Sequence, residues 1–422
     1  MSGNQPMRRL AHSLVRLRAR PPPNCAVAPH HFALDASHTL PPAPPPGTLR
    51  CRTLYLSVDP FLRCRFNAHT GVAYTLPYAV GGPLSSAGLG VVLAVGDGLH
   101  AAFRAGDLVV DPFDGWEWAA ECDLPAARLS RVPLPLLALL PPTALLGAAG
   151  QTGLTAWCGL DAAPTLREGE VVVVSGAAGG VGSLVGQLAR RRGARVVGIA
   201  GSEEKAEWLV RRLGFDRGVS YRSESFARDL DEAVEAAAGE GARGGGKEGK
   251  REAGGEAEEE GARRVALYWD NVGGRVSEHV LRRVRDGGTV VLCGQVAMYD
   301  SDEPYPPPLP PPLQRLLDER RIARERYLVL DHRDRFAQGL SELFGLVAGE
   351  ELVAEETRWR GIEAAPAAFC AMMAGGNRGK ALVECAAPPW TMRLAERVRR
   401  ALPPSLKSFV ASRLVPSLDG KA

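Results

Sequence analysis

Four consecutive valines, Val171–Val174, give the strongest hydrophobic signal in the chain. No amphipathic surface element tolerates such a run; it fits a strand buried on both faces of a parallel sheet. A turn of small residues follows at 175–182. Residues 183–192 then read as a helix, with Leu184, Leu188 and Ala189 on one side. Gly193 stops it, and 194–199 is a second apolar strand. Strand, turn, helix and strand together have the length of a βαβ unit.

On either side the pattern changes. Residues 15–18, 49–58, 88–95 and 107–111 read as short strands punctuated by turns, which predicts a compact β-rich domain. Residues 143–163 read as a helix rich in small residues. Beyond the βαβ unit, 265–269 and 288–293 are strands, 313–326 is helical and 327–330 is a strand. Helices over 334–348 and 364–373 precede a strand at 381–385. The polyproline segment at 305–312 reads as a stiff connector or an SH3 ligand. Residues 240–264 hold no apolar side chain larger than alanine, so they cannot offset their own ordering entropy and predict a disordered insertion. In the last stretch, 390–422, Leu406, Phe409, Val410 and Leu414 make a narrow helical stripe in basic surroundings. It suits a membrane surface, a partner, docking on its own protein or partial disorder.

Composition narrows the class. The chain has 422 residues and a formal charge of +3, so its overall charge implies no nucleic-acid partner. No apolar run is long enough to span a membrane and no secretory signal is visible. The arginine-rich opening, up to Arg20, has the composition of a transit peptide as well as of a domain start. Eight scattered cysteines include no C-x-x-C pair and no zinc-lobe run, and there is no H-E-x-x-H, so no metal site is expected. Reduced, mostly buried thiols indicate a cytoplasmic protein.

The turn after the valines is where chemistry is expected. Gly176, Gly179 and Gly182 stand three apart, so the backbone can bend tightly and approach a pyrophosphate. The helix that opens there aims its free N–H groups at phosphates. At the end of the next strand an NAD site wants an acid, whereas Gly201 and Ser202 leave room for a 2′-phosphate that Lys205 can pair with. Glu203 and Glu204 argue the other way, but acids in a first helical turn also favour the dipole. NADPH is the expected cofactor. Ligands of open α/β sheets lie beyond the carboxyl ends of the strands, which places Asn271, Gly294, Gln295 and Tyr299 on the cofactor side. Trp116 and Trp118, beside turn residues, read as rim packing or a pocket wall.

The glycine turn, DNVGG at 270–274, LCGQ at 292–295 and GNRGK at 376–380 resemble the zinc-independent medium-chain reductases. RTLYLSVDPFLRCR at 52–65, PYPPPL at 304–309 and RERYLVL at 324–330 resemble the 15-oxoprostaglandin 13-reductases of the prostaglandin reductase 2 type within them. The resemblance runs from about Leu49 to Cys385, interrupted by the insertion. It implies an α/β fold: a doubly wound Rossmann nucleotide-binding domain plus a β-rich GroES-like catalytic domain split across the chain. Its parts would be 1–142 and 331–386, around a nucleotide domain at 143–330, with a basic tail at 387–422. It also implies a monomer or a homodimer.

On the resemblance, Gly179, Gly180, Val181 and Gly182 cover the pyrophosphate, and Lys205 and Tyr221 take the 2′-phosphate and adenosine side. Asn271, Cys293, Gly294, Gln295, Val296, Ala297, Met298, Tyr299, Tyr327, Leu328, Val329 and Asn377 supply the remaining cofactor contacts. The substrate wall falls on DPFDGWEW, two residues longer than in the family, with Phe113, Trp116 and Trp118.

The implied reaction is NADPH-dependent reduction of the 13,14 double bond of a 15-oxoprostaglandin. Hydride addition to the β-carbon of an enone needs a hydrogen-bond donor where the enolate oxygen forms. Without metal ligands a hydroxyl must serve, and Tyr299 is the candidate; packing under the cofactor is its other role. A reductase of general alkenals or quinones is the alternative of the same class, and an NADPH-binding scaffold without turnover that of another.

Overall fold

The computed structural model describes residues 13–242, 264–301 and 306–414. The insertion expected at 240–264 lies almost wholly outside them, as do the first residue of the polyproline segment, Tyr305, the opening to residue 12 and the tail beyond Leu414. The chain divides into two units, 1–154 with 334–422, and 155–333. The described part of the basic tail, up to Leu414, falls in the first unit, and the boundary between the units lies within the helix Gln151–Ala162.

The second unit is built on a six-stranded, wholly parallel sheet. Its order is Arg217–Ser220, Arg195–Ala200, Val171–Val174, Val265–Asp270, Val284–Leu292 and Ala323–Arg326. Numbered within the unit this is 3-2-1-4-5-6, the doubly wound order, whose direction switches beside Val171–Val174. All four valines are buried, as their run requires. The helix Gly180–Arg191 packs closely because Gly186 lacks a side chain: a Cβ there would lie 1.9 Å from the Phe215 ring.

The first unit holds a seven-stranded sheet centred on Thr48–Val58, which pairs with Ser85–Val95, Glu121–Pro125 and Lys380–Glu384. Every pairing in it is antiparallel except Glu356–Arg360 beside Lys380–Glu384. Leu14–Leu17 and Phe32–Asp35 form a separate two-stranded ribbon.

Several elements depart from the sequence pattern. The region 143–163 is two pieces, a 3₁₀ segment Pro142–Leu146 and the helix Gln151–Ala162. Glycines 147 and 150 fall between them, where backbone freedom outweighs the helical preference of the flanking alanines. The helix Phe226–Ala242 runs into the start of the expected insertion. Three of the prolines at 305–312 do not continue a stiff connector: Pro310 caps the helix Pro311–Glu319, whose first turn needs no proline N–H. That helix stops at Glu319, and the strand after it is Ala323–Arg326 rather than 327–330. The strand expected at 107–111 runs on, as Leu108–Glu117, through the turn residues that precede Trp116.

Candidate active site

Ser175 and Asp270 end the two strands that flank the switch in the parallel sheet. Gly176 takes the left-handed conformation, φ +59°, that a side chain would strain. The helix begins at Gly180, three residues earlier than the hydrophobic pattern suggests, so Gly180, Val181 and Gly182 form its first turn. A Cβ on Gly182 would meet the Gly176 carbonyl oxygen at 2.5 Å, so the loop closes only around a bare Cα. Gly179 caps the helix with no side-chain acceptor. The first-turn N–H groups have no partner within a helix and carry its positive end. The result is a cradle shaped for a pyrophosphate.

The next strand ends in Ala200, Gly201 and Ser202. The Ser202 hydroxyl accepts the Lys205 backbone N–H at 3.3 Å, opening the helix Glu203–Leu213 with Lys205 in its first turn. The Tyr221 phenol lies against Gly201: a Cβ there would be 3.3 Å from its oxygen. Arg222 stands 5.8 Å over the Tyr221 ring. This arginine was not singled out from the sequence, although it sits in the same VSYRSE string; only the pairing of Arg217–Ser220 with Arg195–Ala200 brings it beside Gly201 and Ser202.

Asp270, also missed from sequence, ties the far side together. Its buried carboxylate accepts hydrogen bonds from the hydroxyls of Ser175 (3.0 Å), Tyr268 (2.9 Å) and Ser277 (2.6 Å), and from the backbone N–H groups of Val272 (3.0 Å) and Gly273 (2.9 Å). A DNVGG string signals a turn, but nothing in it reveals six donors converging on one acid; the sixth is the Gln295 amide at 3.4 Å. Burial against that carboxylate pushes the Tyr268 phenol well above its ordinary range, so it remains a donor.

Asn271 donates its amide to the Ser175 carbonyl (2.7 Å) and accepts the Trp269 indole N–H (3.1 Å), bracing the two strand ends. Its carbonyl accepts Val296 N–H at 3.1 Å, and the Val272 carbonyl accepts Ala297 N–H at 2.9 Å, lacing the loop 271–274 to Val296–Met298. Gln295 is buried and its Oε1 has no partner. An orphaned acceptor at the carboxyl end of a sheet suits a ligand N–H or hydroxyl. The half-buried Tyr299 follows, its phenol close enough to Gly294 that a Cβ there would stand 3.1 Å away. Burial raises the Cys293 thiol to about 12, so it stays protonated. Tyr327 donates its phenol to the Thr155 carbonyl at 3.0 Å and packs edge-on against Trp269. Leu328 and Val329 continue from it at the same strand end, with Val329 buried.

The remaining expected residues lie in the first unit. The Asn377 amide donates to the Gly379 carbonyl at 2.7 Å. Phe113 lines a shallow apolar cleft with Val110, Leu145, Leu154, Phe336 and Leu340. Trp116 and Trp118, expected with it at a substrate wall, are instead fully buried core side chains. The Trp116 indole lies across Gly88 and Gly90 and donates to the Thr53 hydroxyl at 2.8 Å; Trp118 donates to the Ser86 hydroxyl at 2.8 Å. Trp116 lies in the strand that runs on to Glu117, and Trp118, just past its end, is held by backbone hydrogen bonds to Leu84 and Val15, so the two indoles, two residues apart, share the inner face. Among the described residues no group of three His, Cys, Asp or Glu side chains could hold a metal ion.

Comparison with known proteins bears on the family and the fold. Residues 180–323 match the family model described as zinc-binding dehydrogenase, and 15–129 match the N-terminal domain of oxidoreductase. YfmJ of Bacillus subtilis (strain 168) is 34% identical over 82% of this chain and 91% of its own length. The chain belongs to the medium-chain dehydrogenase/reductase family. Prostaglandin reductase 1 of Rattus norvegicus is 31% identical, covering 80% of this medium-chain reductase and 89% of its own chain. The crystal structure of CurA from Vibrio vulnificus in complex with NADPH superposes with a TM-score of 0.72 at 26% identity, over 89% of this chain and all of that one.

Proposed function

We propose that this chain is a cytoplasmic NADPH-dependent enone reductase that reduces the 13,14 double bond of 15-oxoprostaglandins. The observation that carries the reading is the ridge at the carboxyl ends of the parallel strands. There an uncapped glycine cradle, a strand end followed by Lys205 and flanked by Tyr221 and Arg222, and the Tyr299 phenol line one edge of a single sheet. The CurA–NADPH complex and the prostaglandin reductase relative support it.

NADPH, when bound, supplies the hydride. The first-turn N–H groups at Gly180–Gly182 hold its pyrophosphate. Lys205, Tyr221 and Arg222 would face its 2′-phosphate, and Gln295 Oε1, which has no protein partner, would accept a donor from its nicotinamide half. Asn271, the loop 293–299, Tyr327–Val329 and Asn377 complete its contacts. Addition of a hydride to the β-carbon of an enone develops negative charge on its carbonyl oxygen. Tyr299 donates a hydrogen bond there, and water delivers the proton to the α-carbon. The cleft lined by Phe113 takes the hydrocarbon part of the substrate.

The test is NADPH oxidation with a 15-oxoprostaglandin, a short alkenal and a quinone offered separately, with NADH alongside. Preference for the prostaglandin is expected. Preference for the alkenal or quinone moves the substrate assignment, and NADPH binding without any turnover replaces the enzyme by a scaffold. Tyr299→Phe is expected to lower kcat by about a hundredfold with NADPH binding kept. Unchanged turnover removes Tyr299 as the donor.

A further inference from the structure

The carboxyl-terminal helices of the first unit present a surface that the reductase reading leaves unused. The helix Trp390–Ala401 buries Met392 and Ala395 on one side, where it packs on Leu134–Leu137. Its opposite face is solvent-exposed and divided in two. Trp390, Leu394 and Val398 recur every fourth residue and remain 67%, 52% and 42% exposed. At about 100° per residue they form a strip about 80° wide. Arg393, Arg397 and Arg400 form a second strip beside it. The next helix, Pro404–Ala411, adds exposed Leu406 and Phe409, with the Arg413 guanidinium 3.7 Å over the Phe409 ring.

This pattern differs from the stripe legible in the sequence. Lys407 is buried, its amine 2.7 Å from Glu350, which ties Pro404–Ala411 to the turn just after the helix Phe336–Ala348. The docked helices therefore hold their outer apolar side chains in water on a fixed scaffold, at the full cost of exposing them.

We infer that this face docks on an anionic lipid surface. Charge decides the class of partner. Glu396 is the one acid between Trp390 and Leu414, and it is ion-paired with Arg399 and Arg400. Arg393, Arg397 and Arg413 leave the face cationic. An apolar strip of tryptophan and aliphatic side chains bordered by arginines is the arrangement of a helix lying in the plane of a membrane interface. The indole sits at headgroup level. The arginine stems extend along the apolar surface while their guanidinium groups reach phosphate. Among the described residues no helix is long and apolar enough to cross a membrane, so the contact is with one leaflet.

The test is flotation of the full chain with phosphatidylcholine vesicles, with and without phosphatidylserine. Binding is expected on the phosphatidylserine vesicles, weakening as salt rises. Leu394→Glu with Val398→Glu abolishes it. Arg393→Gln with Arg397→Gln weakens it roughly thirtyfold, at about 1 kcal/mol for each arginine, and leaves phosphatidylcholine vesicles indifferent. Unchanged thermal unfolding shows that both double variants fold. Absence of flotation with either vesicle, or flotation of the glutamate variant like the parent, overturns the inference. A solution dimer broken by that variant, without vesicle binding, assigns the face to a second copy instead. NADPH affinity, measured in the same samples, tests the reductase reading separately, because the two rest on different residues.

Discussion

The two sheets are stabilised at their functional ends by opposite means. In the parallel sheet the central strand Val171–Val174 is a continuous aliphatic run, and polarity gathers where it and its neighbour Val265–Asp270 stop. Asp270 gathers hydroxyls and backbone donors there and sets the course of two loops. In the antiparallel sheet the equivalent organisers are aromatic and lie within the core. Trp116 spans Gly88 and Gly90, while Trp118 stacks on Phe32 at 6.4 Å and meets Phe369. A parallel strand is covered by helices on both faces, so only its end meets ligand. An antiparallel strand alternates faces, and a bulky side chain there is as readily packing as binding surface. One arrangement shows its site in local sequence and the other does not.

Trp116→Ala probes the aromatic side of this contrast and carries the largest expected effect. It removes a fully buried indole and opens a cavity over two glycines, at a cost of about 3–5 kcal/mol in denaturant unfolding. A loss below about 1 kcal/mol returns Trp116 to a surface role. Asp270→Asn probes the polar side. The amide presents N–H groups to donors the carboxylate had accepted, costing about 2–3 kcal/mol, and NADPH affinity falls as the loops 271–274 and 294–299 lose their brace. Calorimetry and nicotinamide fluorescence separate the two effects; unchanged affinity makes Asp270 structural only.

Lys205→Ala acts on a single contact. It is expected to raise the KM for NADPH about tenfold and leave NADH nearly untouched. Equal effects on both coenzymes defeat the 2′-phosphate assignment.

The smallest effect belongs to Glu350. The Lys407 ammonium holds its carboxyl below the ordinary 4.5. Its folded pKa is therefore depressed: the pairing contributes above the unfolded value and is lost as pH falls through the lowered one. Hydrogen exchange in Pro404–Ala411 is expected to quicken over that acid range, and Glu350→Gln to quicken it at neutral pH with under about 1 kcal/mol of global loss.

The nucleotide half of the candidate site was legible because its requirements are local. Val171–Val174, the glycines after it and the small residues at 201–202 encode a buried strand, a tight turn and an open strand end within about thirty residues. Arg222 was adjacent to a residue already singled out, and only the pairing of Arg217–Ser220 with Arg195–Ala200 makes it a candidate. The substrate side was not legible: DPFDGWEW contains an apolar cleft residue, Phe113, and two core residues with the same aromatic character. Which is which depends on a strand running on to Glu117 and on glycines 88 and 90 about twenty-five residues away.

By itself the sequence determined the buried strands, the glycine turn, the polar strand ends and the parallel order they favour, since periodicity and backbone freedom act over a few residues. Tertiary structure decided the rest. It turned Trp116 and Trp118 inward, converged six donors on Asp270, and left Trp390, Leu394 and Val398 facing water while Lys407 went in. Each of those outcomes depends on which distant surface a side chain meets, and burial and hydrogen bonding settle that only when the chain has closed on itself.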